Sequence, residues 1–158
     1  MGIRYYAYPI AAADYPRAVA DPCPFHGSDP LADAWELERA KPEMLYLDKC
    51  WHELQALLGP APGEPAHEAF QLVEGQVTYV DQGWIAFERA LSPAQVQAIA
   101  ADLATVDETD VRNLLADYRG SGDSWESERR YIEQYLADAQ EFTSRLASDG
   151  RGLVYLIG

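Results

Sequence analysis

The spacing of hydrophobic residues along the chain changes several times between a period of two and a period of three to four. Alternating, tyrosine-rich residues from position 3 to position 8 predict an opening strand, which we expect to stop at Pro9. Glu74-Gly75-Gln76 separates two short apolar runs and predicts a hairpin turn. The predicted strands span residues 3–8, 70–73, 77–80, 84–91 and 153–157.

Capping residues followed by apolar residues at three- and four-residue steps mark the helices. Asp29 is followed by proline, which is typical of a first helical turn. Residues 92–95 and 123–126 match the capping box, in which the N-cap and the third helical residue satisfy each other's backbone N–H groups. We expect Pro42 to end the first helix and Gly150 to form the C-cap of the last. The predicted N-caps are Asp29, Asp48, Ser92, Asp107 and Asp123.

The order of these elements predicts the fold class. Helices and strands do not alternate strictly, which argues against a doubly wound parallel sheet. We predict a single α+β domain over residues 1–158, with a small, mostly antiparallel sheet covered on one face by four to five helices. A chain of this length buries about 70% of the surface that its unfolded form exposes, so it needs no disulfide or metal to fold.

The chain is strongly acidic, with 26 aspartate and glutamate residues against 12 lysine and arginine residues and a net charge of −14. Nucleic acids and anionic membranes repel such a surface, so neither is expected as a partner, whereas a basic protein or a cationic ligand fits it. The simpler interpretation is that the acidic residues keep the protein soluble. The sequence has no signal-peptide pattern and no apolar run long enough for a membrane helix. With its two cysteines expected to stay reduced, the protein is predicted to be cytoplasmic.

A zinc site would have to be built from Cys23, His26, Cys50 and His52. The spacing argues against it, because Cys50 and His52, two residues apart on a helix, point about 200° apart. We therefore predict no metal and no other cofactor. The sequence also lacks a phosphate-binding loop, a Gly-x-Ser-x-Gly elbow and a His-Glu-x-x-His motif, so no catalytic residue is assigned.

The densest polar and aromatic cluster follows the expected helix start at Asp48. Asp48 and His52 are four residues apart and share a helix face, an arrangement in which a carboxylate orients an imidazole base. The alternative is that Asp48 caps the helix, Trp51 packs in the core and His52 is a partly exposed neighbour. Tyrosines crowd the first strand, where they fit either a ligand groove or the core. The candidate binding cluster is Asp48, Lys49, Trp51, His52, Tyr5 and Tyr6.

Acidic residues concentrate between residues 92 and 128, where eight of them accompany only two arginines. If they form one face, that face is the best candidate for binding a basic partner. The candidate acidic face is Asp107, Glu108, Asp110 and Asp117.

Three stretches resemble the YfbM-like family of bacterial proteins, a domain of unknown function. They are Met1-Gly2-Ile3-Arg4-Tyr5-Tyr6, Leu47-Asp48-Lys49-Cys50-Trp51-His52-Glu53-Leu54 and Ala90-Leu91-Ser92-Pro93-Ala94-Gln95-Val96. The middle stretch is similar to an Asp-Lys-x-Trp-His-x-Leu pattern. The resemblance implies a small α+β fold and no assigned activity. It adds weight to the Asp48–His52 cluster without giving it a role.

Two functional hypotheses follow, beside the alternative that both the acidic face and the Asp48–His52 cluster are structural and another surface carries the function. The first is a non-enzymatic cytoplasmic protein that docks a basic partner through an acidic, aromatic-rich surface. The second is a small-molecule-binding domain or enzyme with its site around Asp48, His52 and the N-terminal tyrosines. Replacing His52 with alanine is expected to abolish the second function and to leave the first intact.

Overall fold

The computed structural model describes residues 2–117 and 122–158, and in these ranges four strands form one antiparallel sheet. The strands are β1 (Tyr5–Ile10), β2 (Leu45–Asp48), β3 (Thr78–Val80), β4 (Gly83–Ile85), β5 (Phe87–Leu91) and β6 (Gly152–Ile157). The sheet has the order β2-β1-β6-β5, with β1 and β6 at its centre. Strands β3 and β4 form a separate hairpin. The predicted α+β class with a small antiparallel sheet is confirmed.

The helices begin where most of the predicted caps place them. They are α1 (Tyr15–Ala20), α2 (Pro30–Trp35), α3 (Trp51–Leu58), α4 (Pro93–Leu103), α5 (Glu108–Leu114) and α6 (Asp123–Ser148). The side chains of Asp29, Ser92 and Asp107 each accept a hydrogen bond from a backbone N–H of the first turn, as predicted. Gly150 follows α6 with a φ of 63°, which confirms the C-cap. None of the helices in the described ranges combines the length and the apolar character of a membrane span.

Both faces of the sheet are covered, and alternate residues of the central strands divide between them. Helices α3 to α6 pack over the main core, to which β1 and β6 contribute Tyr5, Ala7, Leu153, Tyr155 and Ile157. The alternate residues of β1 and β6 lie on the opposite face of the sheet. There they pack against α1, α2 and the connections around these helices. Because both of its faces are covered, β6 is buried along its whole length, and its sequence is a continuous apolar run.

Strand β1 continues through Pro9 to Ile10, beyond the predicted stop. Arg4 and Gly158 exchange both of their backbone hydrogen bonds, so every second residue after Arg4 turns its N–H towards β6. The nitrogen of Pro9 therefore turns towards β2, which pairs with β1 only over residues 5–7. Proline loses no sheet hydrogen bond at this position, and the strand tolerates it.

The predicted hairpin turn at Glu74-Gly75-Gln76 is wrong. Glu68–Leu72 forms a 3₁₀ helix instead of a strand, and the hairpin turn lies at Asp81-Gln82. Ala69 and Leu72 are buried three residues apart, a spacing that suits a 3₁₀ turn. A short apolar run is compatible with either structure, so the sequence pattern did not separate them. The strand predicted over 84–91 is divided between β4 and β5.

Two helix boundaries also differ from the prediction. Helix α2 ends at Trp35, well before Pro42, and Arg39 returns to place its guanidinium 3.0 Å from the Asp33 carboxylate. Helix α6 begins at Asp123, so Gly122 precedes it and Asp123 is not the N-cap. The difference of one residue at α6 lies within the usual spread of helix-end assignments, whereas the early end of α2 is accompanied by the Arg39–Asp33 ion pair.

Candidate functional site

Asp48 is the last residue of β2 and not the predicted N-cap of α3. Its φ of 49° lies in the left-handed region, and Cys50 is the residue that precedes the helix. The Oδ1 atom of Asp48 accepts hydrogen bonds from Arg4 Nε and from the Tyr46 hydroxyl, both at 3.0 Å. Burial and the hydrogen bond to Asp48 raise the pKa of Tyr46 to about 12. The carboxylate therefore joins β2 to the residues that open β1.

The other members of the Asp48–His52 cluster point in different directions. Trp51 is buried, and its indole N–H donates to the carbonyl of Ile3 at 3.3 Å. The exposed Lys49 lies over Gly2, where an added Cβ would come within 2.5 Å of Lys49 Cε. His52 is exposed, with its ring edge-on to Trp51. Trp51 and Lys49 thus hold the residues before β1, while His52 faces solvent.

Tyr5 and Tyr6, the tyrosines assigned to the same cluster, lie on opposite faces of the sheet. Tyr5 is fully buried, stacks on Tyr155 with ring centroids 5.4 Å apart, and donates its hydroxyl to the carbonyl of Leu72 at 2.8 Å. Tyr6 packs against Tyr46 on the other face. Both are core residues, and the structure does not bring them together around one site.

A buried polar group that was not predicted from the sequence lies beneath the cluster, where α3 contacts α6. Cys50 is fully buried, and burial raises the pKa of its thiol. The Oε2 atom of Glu53 is buried without a hydrogen-bond partner among the described residues. Burial, with a smaller effect of the Glu128 carboxylate, raises the pKa of Glu53. Tyr131 and Tyr135 of α6 lie nearby, and burial raises the pKa of each hydroxyl. These residues come from distant parts of the sequence, so no local motif predicts the group.

The four residues considered for a metal site are divided between two parts of the molecule. Cys50 is in the main core and His52 is exposed at the start of α3. Cys23 and His26 belong to the connection that covers the opposite face of the sheet. His26 Nε2 lies 3.0 Å from a carboxylate oxygen of Glu88. In the described ranges, no three His, Cys, Asp or Glu side chains are grouped so as to hold a metal ion.

The candidate acidic face begins at the start of α5. Asp107 Oδ1 accepts two backbone N–H groups of the first turn at 2.8 and 3.3 Å, and Asp110 Oδ2 accepts the N–H of Asp107 at 2.9 Å. This capping box uses one oxygen of each carboxylate and leaves both negative charges in place. Glu108 is exposed beside them. The side chain of Asp117, the fourth residue of the predicted face, lies outside the described part of the chain.

A surface cavity of about 410 Å³ lies between this end of α5 and α6, and we name it the acidic groove. It is lined by Ala104, Val106, Asp107, Glu108, Glu133, Leu136, Ala137 and Gln140. Val106 and Leu136 are buried and form its apolar base. The groove has three carboxylate residues and, among the described residues, no lysine or arginine in its lining. Gln140 Nε2 donates to the carbonyls of Leu103 and Val106, which fixes the connection from α4 to α5.

The aromatic residues at the surface are not the N-terminal tyrosines. The exposed fractions of Trp35, Tyr79 and Trp84 are 60%, 72% and 39%. Tyr79 and Trp84 are directly opposite each other in the β3–β4 hairpin, and Trp35 ends α2 beside Tyr46. Alternating apolar residues occur in buried and in exposed strands, so sequence periodicity did not separate the two groups.

Comparisons with known proteins agree with this fold and name no activity. The chain matches the family model DUF1877, described as a domain of unknown function, over residues 1–156. No curated protein matches the chain. Its fold is similar to that of YfbM from Escherichia coli, a protein of unknown function, with a TM-score of 0.54 and 20% sequence identity over 99% of this chain and 100% of that chain. The family resemblance of the three sequence stretches is thereby confirmed, and the chain belongs to the DUF1877 family.

Proposed function

We propose that this protein is a non-enzymatic cytoplasmic binding protein and that the acidic groove receives a lysine or arginine side chain of a basic protein partner. The observation that carries the proposal is the lining of the groove. An apolar base formed by Val106 and Leu136 lies beside three carboxylate residues. Lysine and arginine have apolar stems and cationic ends, so this combination suits them.

Charge outside the groove supports the same kind of partner. The net charge of −14 attracts a basic protein over long distances at low salt. Within the groove, Glu133 already holds Arg129 at 2.6 Å and Glu108 lies 3.7 Å from Arg112. Asp107 in the lining and Asp110 just outside it use only one oxygen each for capping. Carboxylate oxygens of these two aspartates are thus available for charge-assisted hydrogen bonds with a partner.

The alternative of a small-molecule site around Asp48 and His52 has less support. Asp48 is held by Arg4 and Tyr46, and the side chains of the N-terminal tyrosines assigned to the site lie on opposite faces of the sheet. The described part of the chain has four surface cavities of 260 to 410 Å³, counting the acidic groove, and residues 46–53 line none of these four. We therefore favour the acidic groove.

The test compares two variants that remove the same charge from different places. The groove variant carries Asp107→Asn, Glu108→Gln and Asp110→Asn, and asparagine keeps the capping ability of aspartate. The control variant carries Glu36→Gln, Glu38→Gln and Asp149→Asn, three exposed acids outside the groove. Binding of a fluorescein-labelled nona-arginine peptide is measured by anisotropy at 50 mM salt.

The groove variant is expected to bind the peptide at least tenfold more weakly, since three partly exposed charges contribute about 0.5 kcal/mol each and 1.4 kcal/mol is a factor of ten. The control variant is expected to differ from the wild type by less than threefold. Equal weakening in both variants would mean that net charge alone attracts the peptide, and the groove would then have no special role.

A further inference from the structure

The β3–β4 hairpin exposes apolar side chains on both of its faces. Tyr79 and Trp84 form one cross-strand pair, and Ile85 stands opposite Thr78 in the next pair, on the other face. The exposed fractions of Tyr79, Val80 and Ile85 are 72%, 50% and 59%. A lone two-stranded hairpin is marginally stable in water, and exposed apolar patches of this kind mark interaction sites.

The base of the hairpin is held firmly while its two strands remain uncovered. Gln55 Nε2 donates to the carbonyls of Val73 at 2.6 Å and of Gly75 at 2.8 Å. Gly75 has a φ of 140°, and an added Cβ would lie 2.4 Å from the Phe87 ring, so only glycine fits there. Val77 is buried in the main core. The hairpin is therefore presented in one orientation, which lowers the entropic cost of docking.

The outer edge of β3 is the more accessible of the two edges. All three residues of β3 are exposed, and β3 pairs only with β4 among the described strands. In β4, Gly83 is half-buried, and the indole nitrogen of Trp84 lies 4.0 Å from the position of a Cβ built on Gly158. An edge with free backbone N–H and C=O groups accepts an extended segment as an added strand.

The charge around the hairpin identifies the occupant. From Cys50 to Glu88 the chain has six acidic residues and no lysine or arginine, and Asp81 occupies the hairpin turn itself. The next residue, Arg89, pairs with Glu74 at 3.2 Å, so the acidic residues remain in excess. A second copy of the chain would bring the same acidic segment and a further net charge of −14 against this surface. A basic segment has the complementary charge.

We propose that the outer edge of β3 takes an extended basic segment of a partner protein as an added strand, with Tyr79 and Val80 of β3 contacting its apolar side chains on opposite faces of the hairpin. The proposal rests on the proposed function in one respect, namely that the partner is basic. It adds the place and the manner of docking, since the hairpin is distinct from the acidic groove.

The probe is a heptapeptide of alternating lysine and valine, and the control peptides alternate glutamate with valine or carry a central proline that blocks strand pairing. Hydrogen exchange of the backbone amides of residues 78–80 is followed with and without peptide, and affinity is measured by titration. The hairpin variant is Tyr79→Ser with Val80→Ser. Its matched control is Trp35→Ser with Val19→Ser, an equally exposed aromatic and aliphatic pair elsewhere.

The lysine–valine peptide is expected to slow exchange at residues 78–80, and the hairpin variant is expected to bind it at least tenfold more weakly while the control pair stays within threefold. Three results would overturn the proposal. The first is that 1 mM peptide gives no protection at residues 78–80, and the second is that the glutamate–valine peptide binds equally well. The third is that both serine pairs lose the same affinity for the lysine–valine peptide. Self-association that the hairpin variant abolishes would also overturn it, because the occupant would then be a second copy.

The groove variant separates the two proposals. If the groove variant binds the lysine–valine peptide as tightly as the wild type does, and the peptide protects its β3 amides, the hairpin proposal is supported. This holds whatever the nona-arginine test shows. If that peptide instead requires Asp107, Glu108 and Asp110 and protects no residue of β3, the hairpin proposal fails and the acidic groove stands.

Discussion

Replacing Tyr5 with phenylalanine removes one hydroxyl from the centre of the main core and tests whether this residue is structural. The ring of Tyr5 is completely buried, and its hydroxyl donates to the carbonyl of Leu72 at 2.8 Å. Leu72 is also fully buried, so water does not replace the missing donor. The neighbouring Tyr6 is 5% exposed, and its hydroxyl makes no hydrogen bond to the described residues. Tyr6→Phe is therefore a matched control in the same strand.

The magnitude follows from the group that is left behind. A buried acceptor deprived of its partner costs about 1–3 kcal/mol, and carbonyl oxygens tolerate the loss better than N–H groups do. We expect Tyr5→Phe to lower the free energy of unfolding by about 1–2 kcal/mol. For Tyr6→Phe we expect a change of less than about 0.5 kcal/mol, because no buried partner is orphaned.

Urea unfolding followed by tryptophan fluorescence measures this difference. With an m value of about 2 kcal/mol per molar, the midpoint of Tyr5→Phe is expected to fall by about 0.5–1 M. The m value itself should not change, because the hydroxyl has little effect on the surface exposed upon unfolding.

Equal midpoints for the two variants would refute the reasoning, since the hydrogen bond to Leu72 would then contribute nothing. A larger loss for Tyr6→Phe than for Tyr5→Phe would show that the face bearing Tyr6 holds the more demanding polar contact. In either case the assignment of Tyr5 to the core would rest on the burial of its ring and not on its hydrogen bond.

Three further predictions concern titratable and capping groups. Burial raises the folded-state pKa of Glu53 above 4.5, so the stability linked to its protonated form is complete below pH 4.5 and is lost as the pH rises through the folded value. At pH 8 the Glu53→Gln variant should accordingly unfold at a higher urea concentration than the wild type, and at pH 4 it should be no more stable. If the stabilities of the two proteins change with pH in parallel, this reasoning is wrong. Asp107→Ala should lower stability by about 1 kcal/mol through the lost cap, and Asp107→Asn by only a few tenths, as judged by thermal unfolding. If both variants lose equally, the charge rather than the hydrogen bond stabilises α5. Cys23 is exposed and Cys50 is fully buried with a raised thiol pKa, so an Ellman assay should detect one thiol in native protein and two in denaturant. Rapid reaction of both thiols in the native state would mean that the core around Cys50 opens readily.

Local signals in the sequence were sufficient for several elements. The capping box at Ser92 and Gln95 is present with both reciprocal hydrogen bonds, and the apolar stripe after Asp123 is the buried face of α6. Residues 153–157 form the buried strand β6 that their continuous apolar run predicts. These features succeed because the interactions that specify them lie within one turn of helix or one strand.

The candidate sites depended on more distant contacts. Asp48 has a sequence context that suits an N-cap, but hydrogen bonds from Arg4 and Tyr46 hold it at the end of β2. Glu53 and Glu128 come together only because α3 and α6 pack against each other. The tyrosines of β1 match either a ligand groove or a core. They lie in the core because β1 pairs with β6 on one side and with β2 on the other.

The sequence by itself therefore determined the class of the fold, the family, most helix starts and the acidic character of the surface. Only the tertiary structure decided which aromatic residues are exposed, where the hairpin turns and which acidic residues line a groove. The physical reason is that capping and periodicity act between residues close in the chain, whereas burial depends on which elements pack on each face of the sheet. For Tyr79 and Trp84 no element does so in the described part of the chain, and the proposal that the β3–β4 hairpin docks a partner rests on that exposure.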